Sequence, residues 1–73
     1  MKFIDIMATS RRLREMRVER DLKAVYVAAR LCVSPGAVSR WEQGKCLPGI
    51  DRLVNLAGIY GCSVEDLLVI REG

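Results

Sequence analysis

Residues 22–45 constrain the fold of this chain most strongly, because they contain two short helical patterns on either side of a tight turn. In the second pattern Ser34 stands as a cap and Pro35 follows at the first helical position, which is a specific start signal. Gly44 provides the stop. We therefore predict helices over roughly residues 23–31 and 35–43 that pack around the turn.

The residues before this unit predict another helix, from about Asp5 or Ala8 to Arg20, with Asp5 or Ser10 as its cap. Apolar residues recur there near helical spacing, and the positions between them are mostly charged. Three consecutive β-favouring residues, 25–27, leave a strand open as an alternative for the second helix. The helical surroundings and the absence of a second matching strand favour the helix.

A broad apolar stripe predicts a fourth helix over Ile50–Tyr60, which Gly61 ends. Ser63 begins a fifth helix, and Ser63 with Asp66 resembles a capping box. Residues 67–70 are too apolar for a free surface, so they either complete the core or form an interface with a partner. The 73 residues are therefore expected to form a single all-α domain, 1–73, whose 51% hydrophobic content compensates for its small size.

The positive charge is concentrated in the N-terminal part of the chain. Residues 10–45 hold nine Lys or Arg and four Asp or Glu, whereas residues 46–73 hold two and four. A cationic surface suits a polyanion such as DNA, although a solvated surface is the plain alternative. Charge alone does not decide between the two.

Several other kinds of site and location are not expected. The three cysteines, Cys32, Cys46 and Cys62, are far apart and there is no histidine, so we expect small thiols and neither a metal site nor a cofactor. No apolar run approaches the ~18 residues of a membrane span. Asp5 interrupts the short apolar start, which is unlike a secretory signal. We therefore expect a cytoplasmic protein with no membrane partner.

The run SRWEQGK at residues 39–45, followed by Pro48, is the most specific motif of the chain. The residues that accompany it are Leu13, Arg14, Met16, Arg17, Leu22, Ala28, Leu31, Val33, Ser34, Val38, Leu47, Leu53, Leu56, Ala57, Gly61, Ser63, Val64, Asp66, Leu67 and Leu68. With these residues, positions 13–68 resemble the Cro/repressor-type (XRE) helix-turn-helix family of bacterial and phage regulators. The resemblance implies a five-helix bundle that binds double-stranded DNA, usually as a homodimer on a near-palindromic operator.

The resemblance also implies roles for particular residues. Base contacts are implied for Arg40, which can bond guanine, for Ser39, and for Ala37, which can touch a thymine methyl. A phosphate contact is the alternative for Arg40, and a solvated hydroxyl is the alternative for Ser39. Phosphate contacts are implied for Arg17, Lys23, Ser34, Gln43 and Lys45. Arg17 also matches a family residue that pairs with Glu42 across the bundle.

Three departures from the family pattern change what can be expected. Ala24 stands where the family commonly has a glutamine that holds a phosphate, and Lys23 is the candidate substitute. Cys32 replaces the usual turn glycine, so the turn is expected to be either strained or slightly rearranged. Residues 35–37 carry no side chain that can hydrogen-bond to a base. Trp41 is expected to be a core wedge and not a base stacker.

These observations favour a sequence-specific DNA-binding transcription regulator, a repressor, without enzyme activity, since there is no histidine, no carboxylate pair clustered in a predicted pocket and no glycine-rich phosphate loop. The alternative is an antitoxin-like or other protein-interaction module on the same fold, with a protein partner. The apolar residues in excess on the last two helices make Ile59, Leu68 and Ile70 the expected dimer interface.

Overall fold

The computed structural model describes all residues 1–73 and contains five α-helices and one antiparallel sheet of two short strands. In chain order the elements are β1 (Lys2–Ile4), α1 (Ile6–Glu19), α2 (Ala24–Leu31), α3 (Pro35–Glu42), α4 (Ile50–Tyr60), α5 (Val64–Leu67) and β2 (Ile70–Glu72). The predicted five-helix class is confirmed. The small sheet is the element that the sequence pattern did not indicate.

A side-chain cap determines where α1 begins. The carboxylate of Asp5 accepts a hydrogen bond from the backbone N–H of Ala8 at 3.0 Å, so Asp5 is the N-cap and Ser10 lies buried within the helix. At the other end the backbone N–H of Arg20 bonds to the carbonyl of Arg17 at 3.2 Å. Asp21 follows with φ 55°, and this left-handed residue turns the chain away from α1.

The turn between α2 and α3 also depends on a left-handed residue. Cys32 has φ 57° and ψ 41°, a conformation in which glycine is the usual residue. The backbone N–H of Val33 closes the turn by bonding to the carbonyl of Ala28 at 3.0 Å. Residues 25–27 lie within α2, so the helical prediction is confirmed and the strand alternative is wrong.

The start and stop signals of α3 act as predicted. The hydroxyl of Ser34 accepts a hydrogen bond from the backbone N–H of Ala37 at 3.2 Å, and Pro35 is the first helical residue. After the helix, Gly44 has φ 79°, which a residue with a Cβ adopts only with strain. The helix is therefore held to eight residues by signals at both of its ends.

The helix α4 spans the predicted residues, whereas α5 is shorter than the apolar run suggested. Gly61 ends α4 with φ 68°. Ser63 and Asp66 form the predicted capping box, in which each side chain accepts from the backbone N–H of the other residue. The helix ends at Leu67, and Leu68 is already extended with ψ 140°. The chain then enters β2 instead of continuing as a helix.

The sheet joins the two ends of the chain over the first turn of α1. In its antiparallel register Phe3 lies opposite Arg71. The backbone N–H of Asp5 donates to the carbonyl of Val69 at 2.8 Å, and the N–H of Val69 donates to the hydroxyl of Thr9 at 3.0 Å. The guanidinium of Arg71 pairs with Asp5 at 3.0 Å. These bonds attach the C-terminal residues to α1.

Residues from all five helices form one apolar core. Its buried members are Leu13, Val27, Ala28, Leu31, Val38, Trp41, Leu53, Leu56, Ala57, Tyr60 and Leu67. Trp41 is 7% exposed, so its prediction as a core wedge is confirmed. Val38 and Trp41 lie on one side of α3 and attach that helix to the body of the protein.

None of the helices is both long and apolar enough to cross a membrane.

Candidate nucleic-acid interface

The helix α3 has one buried side and one side open to solvent. Val38 and Trp41 are buried, whereas Pro35, Gly36 and Arg40 are exposed. Because the side chains on the buried side are packed in the core, the opposite side is presented to solvent in a single orientation. A helix held in this way can enter the major groove of duplex DNA, which is wide enough to admit it.

Arg40 is the charged group on the open side of α3. Its Nη1 atom lies 3.4 Å from the position that a Cβ on Gly36 would occupy. The guanidinium therefore lies along the helix, over the residue one turn earlier, where no side chain obstructs it. A guanidinium held beside the helix in this way presents a planar set of N–H donors, which matches the two acceptors of guanine.

The hydroxyls of α3 already have partners within the chain. The side-chain amide of Gln43 donates to the hydroxyl of Ser39 at 2.8 Å, and Ser39 is half-buried. The hydroxyl of Ser34 accepts the cap bond from Ala37. Each hydroxyl keeps its own hydrogen for a further acceptor. Arg40 is therefore the side chain on this helix with the most donors left for a base.

The predicted ion pair between Arg17 and Glu42 is confirmed. Nε and Nη2 of Arg17 donate to the two carboxylate oxygens of Glu42 at 2.8 and 2.9 Å, a bidentate arrangement. Nη1 donates to the carbonyl of Leu22 at 2.9 Å. The two side chains are 15% and 9% exposed, and the hydrogen bond to Glu42 raises the pKa of Arg17. These bonds join α1, the segment just before α2 and the end of α3.

A shallow groove lies beside this pair, between α1, α2 and α3. It is lined by Arg14, Arg17, Ala24, Ser39, Glu42 and Gln43. Ala24 contributes no polar group, in keeping with the anchor that the sequence lacks at this position. The groove instead contains Arg14, which the sequence reasoning did not select as a binding residue. Its spacing of three from Arg17, on the same face of α1, was the signal that could have identified it.

A family model described as helix-turn-helix matches residues 13–67. The chain belongs to the helix-turn-helix family. A transcriptional regulator of this type from Deinococcus deserti, DdrOP3, is 39% identical over 62 residues, which are 85% of this chain and 48% of that protein. The transcriptional activator BcrR of Enterococcus faecalis is 29% identical over 66 residues, 90% of this chain and 32% of that protein. The chain thus spans half or less of the length of these two relatives.

A solved structure supports the same family. The P22 c2 repressor, crystallised with a synthetic operator, superimposes with a TM-score of 0.77 at 27% identity, over 82% of this chain and 91% of that chain. The Cro/repressor-type resemblance is therefore confirmed. The two relatives are named transcriptional regulators, and the solved structure is that of a repressor with a synthetic operator.

The remaining predicted residues of the helix-turn-helix lie in different settings. Lys23 is the exposed N-cap residue of α2, directly before Ala24. Lys45 is exposed after the α3 stop, where its backbone N–H bonds to the carbonyl of Arg40 at 3.1 Å. Ala37 is half-buried and packs against the core, so only part of its methyl group is free. Lys23 and Lys45 thus lie just before α2 and just after α3, at the two ends of the motif.

The three residues predicted as a dimer interface do not lie on one continuous helix face. Ile59 in α4 and Leu68 after α5 are half-buried and pack against the chain's own core. Ile70 lies in β2 and is 52% exposed. Of the three, Ile70 therefore has the most apolar surface left for a partner.

Tyr60 is the buried titratable group of this helix-turn-helix domain. It is 4% exposed at the end of α4. Burial and, to a smaller extent, the negative charge of Glu42 raise the pKa of Tyr60 to about 12, although Arg17 and Arg20 oppose the change. The folded protein therefore favours the neutral phenol.

We expect this phenol to make the domain less stable in alkaline solution. The unfolded chain releases the proton near the ordinary pKa of 10.0 and the folded chain only near 12, so stability is unaffected below pH 10 and falls from 10 to 12. The loss should be about 1–2 kcal/mol, allowing for partial solvation of the phenol. Urea unfolding across this pH range measures it. Tyr60→Phe should remove this part of the loss, and an unchanged alkaline loss in that variant would contradict the assignment to Tyr60.

Proposed function

We propose that the chain binds duplex DNA sequence-specifically as a transcription regulator, a repressor, in the cytoplasm. In this proposal α3 enters the major groove, and two copies bind the halves of an inverted repeat about 34 Å apart. No residue is given a catalytic role, and neither metal nor cofactor is needed. The observation that carries the proposal is the exposed Arg40 on a helix whose opposite side is buried in the core.

Base reading in this proposal depends mainly on Arg40. Two parallel hydrogen bonds to one guanine contribute about 1–3 kcal/mol of discrimination. Ser39 adds a hydroxyl that can donate to a base edge while it accepts from Gln43. Ala37 offers part of its methyl group to a thymine. With so few base readers, the sequence-dependent shape of the operator contributes the rest of the specificity.

Phosphate binding depends on the groups around the groove and the ends of the motif. Arg17 has three of its five N–H donors in use, which leaves two for a phosphate oxygen. Arg14 brings a full guanidinium to the position where Ala24 provides no anchor. Lys23, Ser34, Gln43 and Lys45 complete the proposed contacts with the DNA backbone, and these set register and affinity without reading sequence.

Repression is the simpler sign of regulation for a domain that acts by occupying its operator, because binding alone then blocks transcription. The P22 c2 protein is named a repressor, whereas BcrR is named an activator. A reporter gene placed behind the operator distinguishes the two. Expression that falls when the chain is supplied supports repression, and expression that rises overturns it.

A second candidate is an antitoxin-like or other protein-interaction module. The observation that favours it is the exposed apolar surface on α4, where Ile50 is 78% and Val54 is 54% exposed, one helical turn apart. A partner protein could cover these side chains. Arg40→Ala separates the two functions, because it removes base reading and leaves α4 unchanged.

The decisive test is selection from a pool of random duplexes, with sequencing of the bound fraction. We expect an enriched inverted repeat that contains guanine in each half, and an affinity that falls steeply with salt. Arg40→Ala removes one guanine contact from each half, so it should weaken specific binding by about 2–6 kcal/mol, or roughly 30-fold or more. If no repeat is enriched, or if Arg40→Ala enriches the same repeat, the proposal that Arg40 on α3 recognises bases is overturned. A salt-independent affinity would overturn the phosphate contacts.

A further inference from the structure

The sheet of β1 and β2 carries apolar side chains that its own chain does not cover. All six residues of the two strands are exposed. The large apolar side chains on the sheet and on the adjoining first turn of α1 are Phe3, Ile4, Ile6, Met7 and Ile70, each between 40% and 59% exposed. A two-stranded sheet is marginal in water, and each of its edges can accept a further strand. This surface is therefore suited to a partner strand.

The hydrogen-bond register identifies which backbone groups point outward. Met1 and Gly73 exchange two hydrogen bonds at 3.0 Å, and the N–H of Asp5 donates to the carbonyl of Val69. Bonded and non-bonded pairs alternate along an antiparallel ladder, so Phe3 and its opposite residue also bond inward. The N–H and C=O groups of Lys2 and Ile4 therefore point away from β2, along the outer edge of β1.

The outer edge of β2 opposes pairing with a second copy of itself. The outward residues there are Ile70 and Glu72, so a two-fold axis must pass through Ile70, Arg71 or Glu72. The last two choices place two like charges directly opposite one another, which is destabilising. An axis through Ile70 requires Leu68 to pair with Glu72 of the second copy, but the backbone N–H of Leu68 already bonds to the carbonyl of Glu65.

The outer edge of β1 accepts a second copy of itself in one register. A two-fold axis through Lys2 would place two lysines opposite one another. An axis through Ile4 would require Lys2 of one copy to pair with Ile6 of the other, and Ile6 already belongs to α1. The axis at Phe3 places Lys2 opposite Ile4 and brings the two Phe3 side chains together as a closely spaced pair. Within each chain Arg71 lies opposite Phe3 on β2, so Phe3 separates it from the two-fold axis and from the Arg71 of the second copy. No like charges are opposed.

We propose that two copies of the chain join along the outer edges of their β1 strands, with Phe3 opposite Phe3, to form a four-stranded sheet. This inference deepens the proposed homodimer and moves its contact from Ile59 and Leu68 to the terminal sheet. The position suits DNA binding, because the Sδ atom of Met7 lies against Gly44, the residue that ends the α3 segment. The first turn of α1, which follows β1 in the chain, thus lies beside the residue that ends the α3 segment, and a two-fold axis along β1 relates the two α3 helices of the dimer.

The test compares two proline variants by sedimentation of the full chain without DNA. Ile4→Pro removes an outward N–H from β1, whereas Ile70→Pro removes the matching outward N–H from β2 and a similar amount of apolar surface. We expect the wild type to dimerise and Ile4→Pro to weaken the dimer roughly tenfold or more, since two hydrogen bonds are lost per dimer. Ile70→Pro should dimerise like the wild type. Circular dichroism checks that both variants are folded.

A charge exchange at Phe3 tests the register without changing the backbone. Phe3→Arg and Phe3→Glu should each remain monomeric, because like charges would meet at the axis, whereas an equimolar mixture should recover a mixed dimer. Three results would overturn the proposal. The wild type could stay monomeric at the highest attainable concentration, or the dimer could be lost in Ile70→Pro alone or in both proline variants. The third result is a mixture of the two Phe3 variants that recovers no dimer. Since these experiments contain no DNA, their failure leaves the duplex-selection result, and with it the proposed function, unaffected.

Discussion

Trp41→Ala should lower the free energy of unfolding by about 3–5 kcal/mol, because the truncation leaves a cavity where α3 packs on the core. Trp41 is 7% exposed and, with Val38, attaches α3 to the rest of the bundle. A domain of 73 residues has a total stability of about 4–11 kcal/mol, so the variant loses a large share of it. DNA binding should weaken with it, since α3 loses its attachment.

Urea unfolding followed by far-ultraviolet circular dichroism measures this loss, because Trp41 is the only tryptophan and its fluorescence disappears in the variant. Trp41→Phe keeps most of the apolar volume and should cost clearly less than Trp41→Ala. The exposed residue Arg52 gives a surface control, and Arg52→Ala should change stability by no more than about 0.5 kcal/mol. A loss in Trp41→Ala as small as in the surface control would mean that Trp41 does not attach α3 to the core.

The helices of this domain could be predicted from the sequence because their ends carry local signals. Ser34 with Pro35, Gly61, and Ser63 with Asp66 each satisfy backbone groups within a few residues, so their effect does not depend on the remainder of the chain. The same holds for Asp5, which caps α1, whereas the other candidate cap, Ser10, lies inside the helix. Local capping chemistry is therefore what the sequence reveals best.

The terminal sheet could not be predicted, because its two strands have three residues each and lie at opposite ends of the chain. So short a strand shows no measurable alternation, and no turn residue announces a hairpin. Of the apolar residues 67–70, Leu67 is buried in the core and Leu68 packs partly against it, whereas Ile70 is 52% exposed. Ile70 lies in a strand because it pairs with Ile4 of β1, and the hydroxyl of Thr9 accepts a hydrogen bond from the backbone N–H of Val69 just before it.

The binding groups were predicted less completely than the helices. The ion pair of Arg17 with Glu42 followed from the family resemblance and is present. The proximity of Arg14 to the groove and the bond from Gln43 to Ser39 depend on how the helices cross and on side-chain rotamers. Neither of these can be read from spacing alone.

Glu42→Leu should lower the free energy of unfolding by about 2–4 kcal/mol, because it leaves the guanidinium of Arg17 without its two carboxylate acceptors. The pair is 15% and 9% exposed, so water cannot replace the carboxylate fully. The pair of Arg71 with Asp5 is 57% and 30% exposed, so Arg71→Ala should cost clearly less stability than Glu42→Leu. Urea unfolding of both variants gives this comparison.

A double variant tests whether the lone charge of Arg17 is what destabilises Glu42→Leu. Arg17→Met combined with Glu42→Leu replaces both charges by apolar groups, so the double variant should be more stable than Glu42→Leu alone. Its operator affinity should nevertheless stay reduced, because the carbonyl of Leu22 loses the bond from Nη1 and the proposed phosphate contact of Arg17 is removed as well. We therefore expect recovery of stability without full recovery of operator affinity. Recovery of both stability and operator affinity would mean that the ion pair serves stability alone. If the double variant is no more stable than Glu42→Leu, the lone Arg17 charge is not what destabilises the single variant.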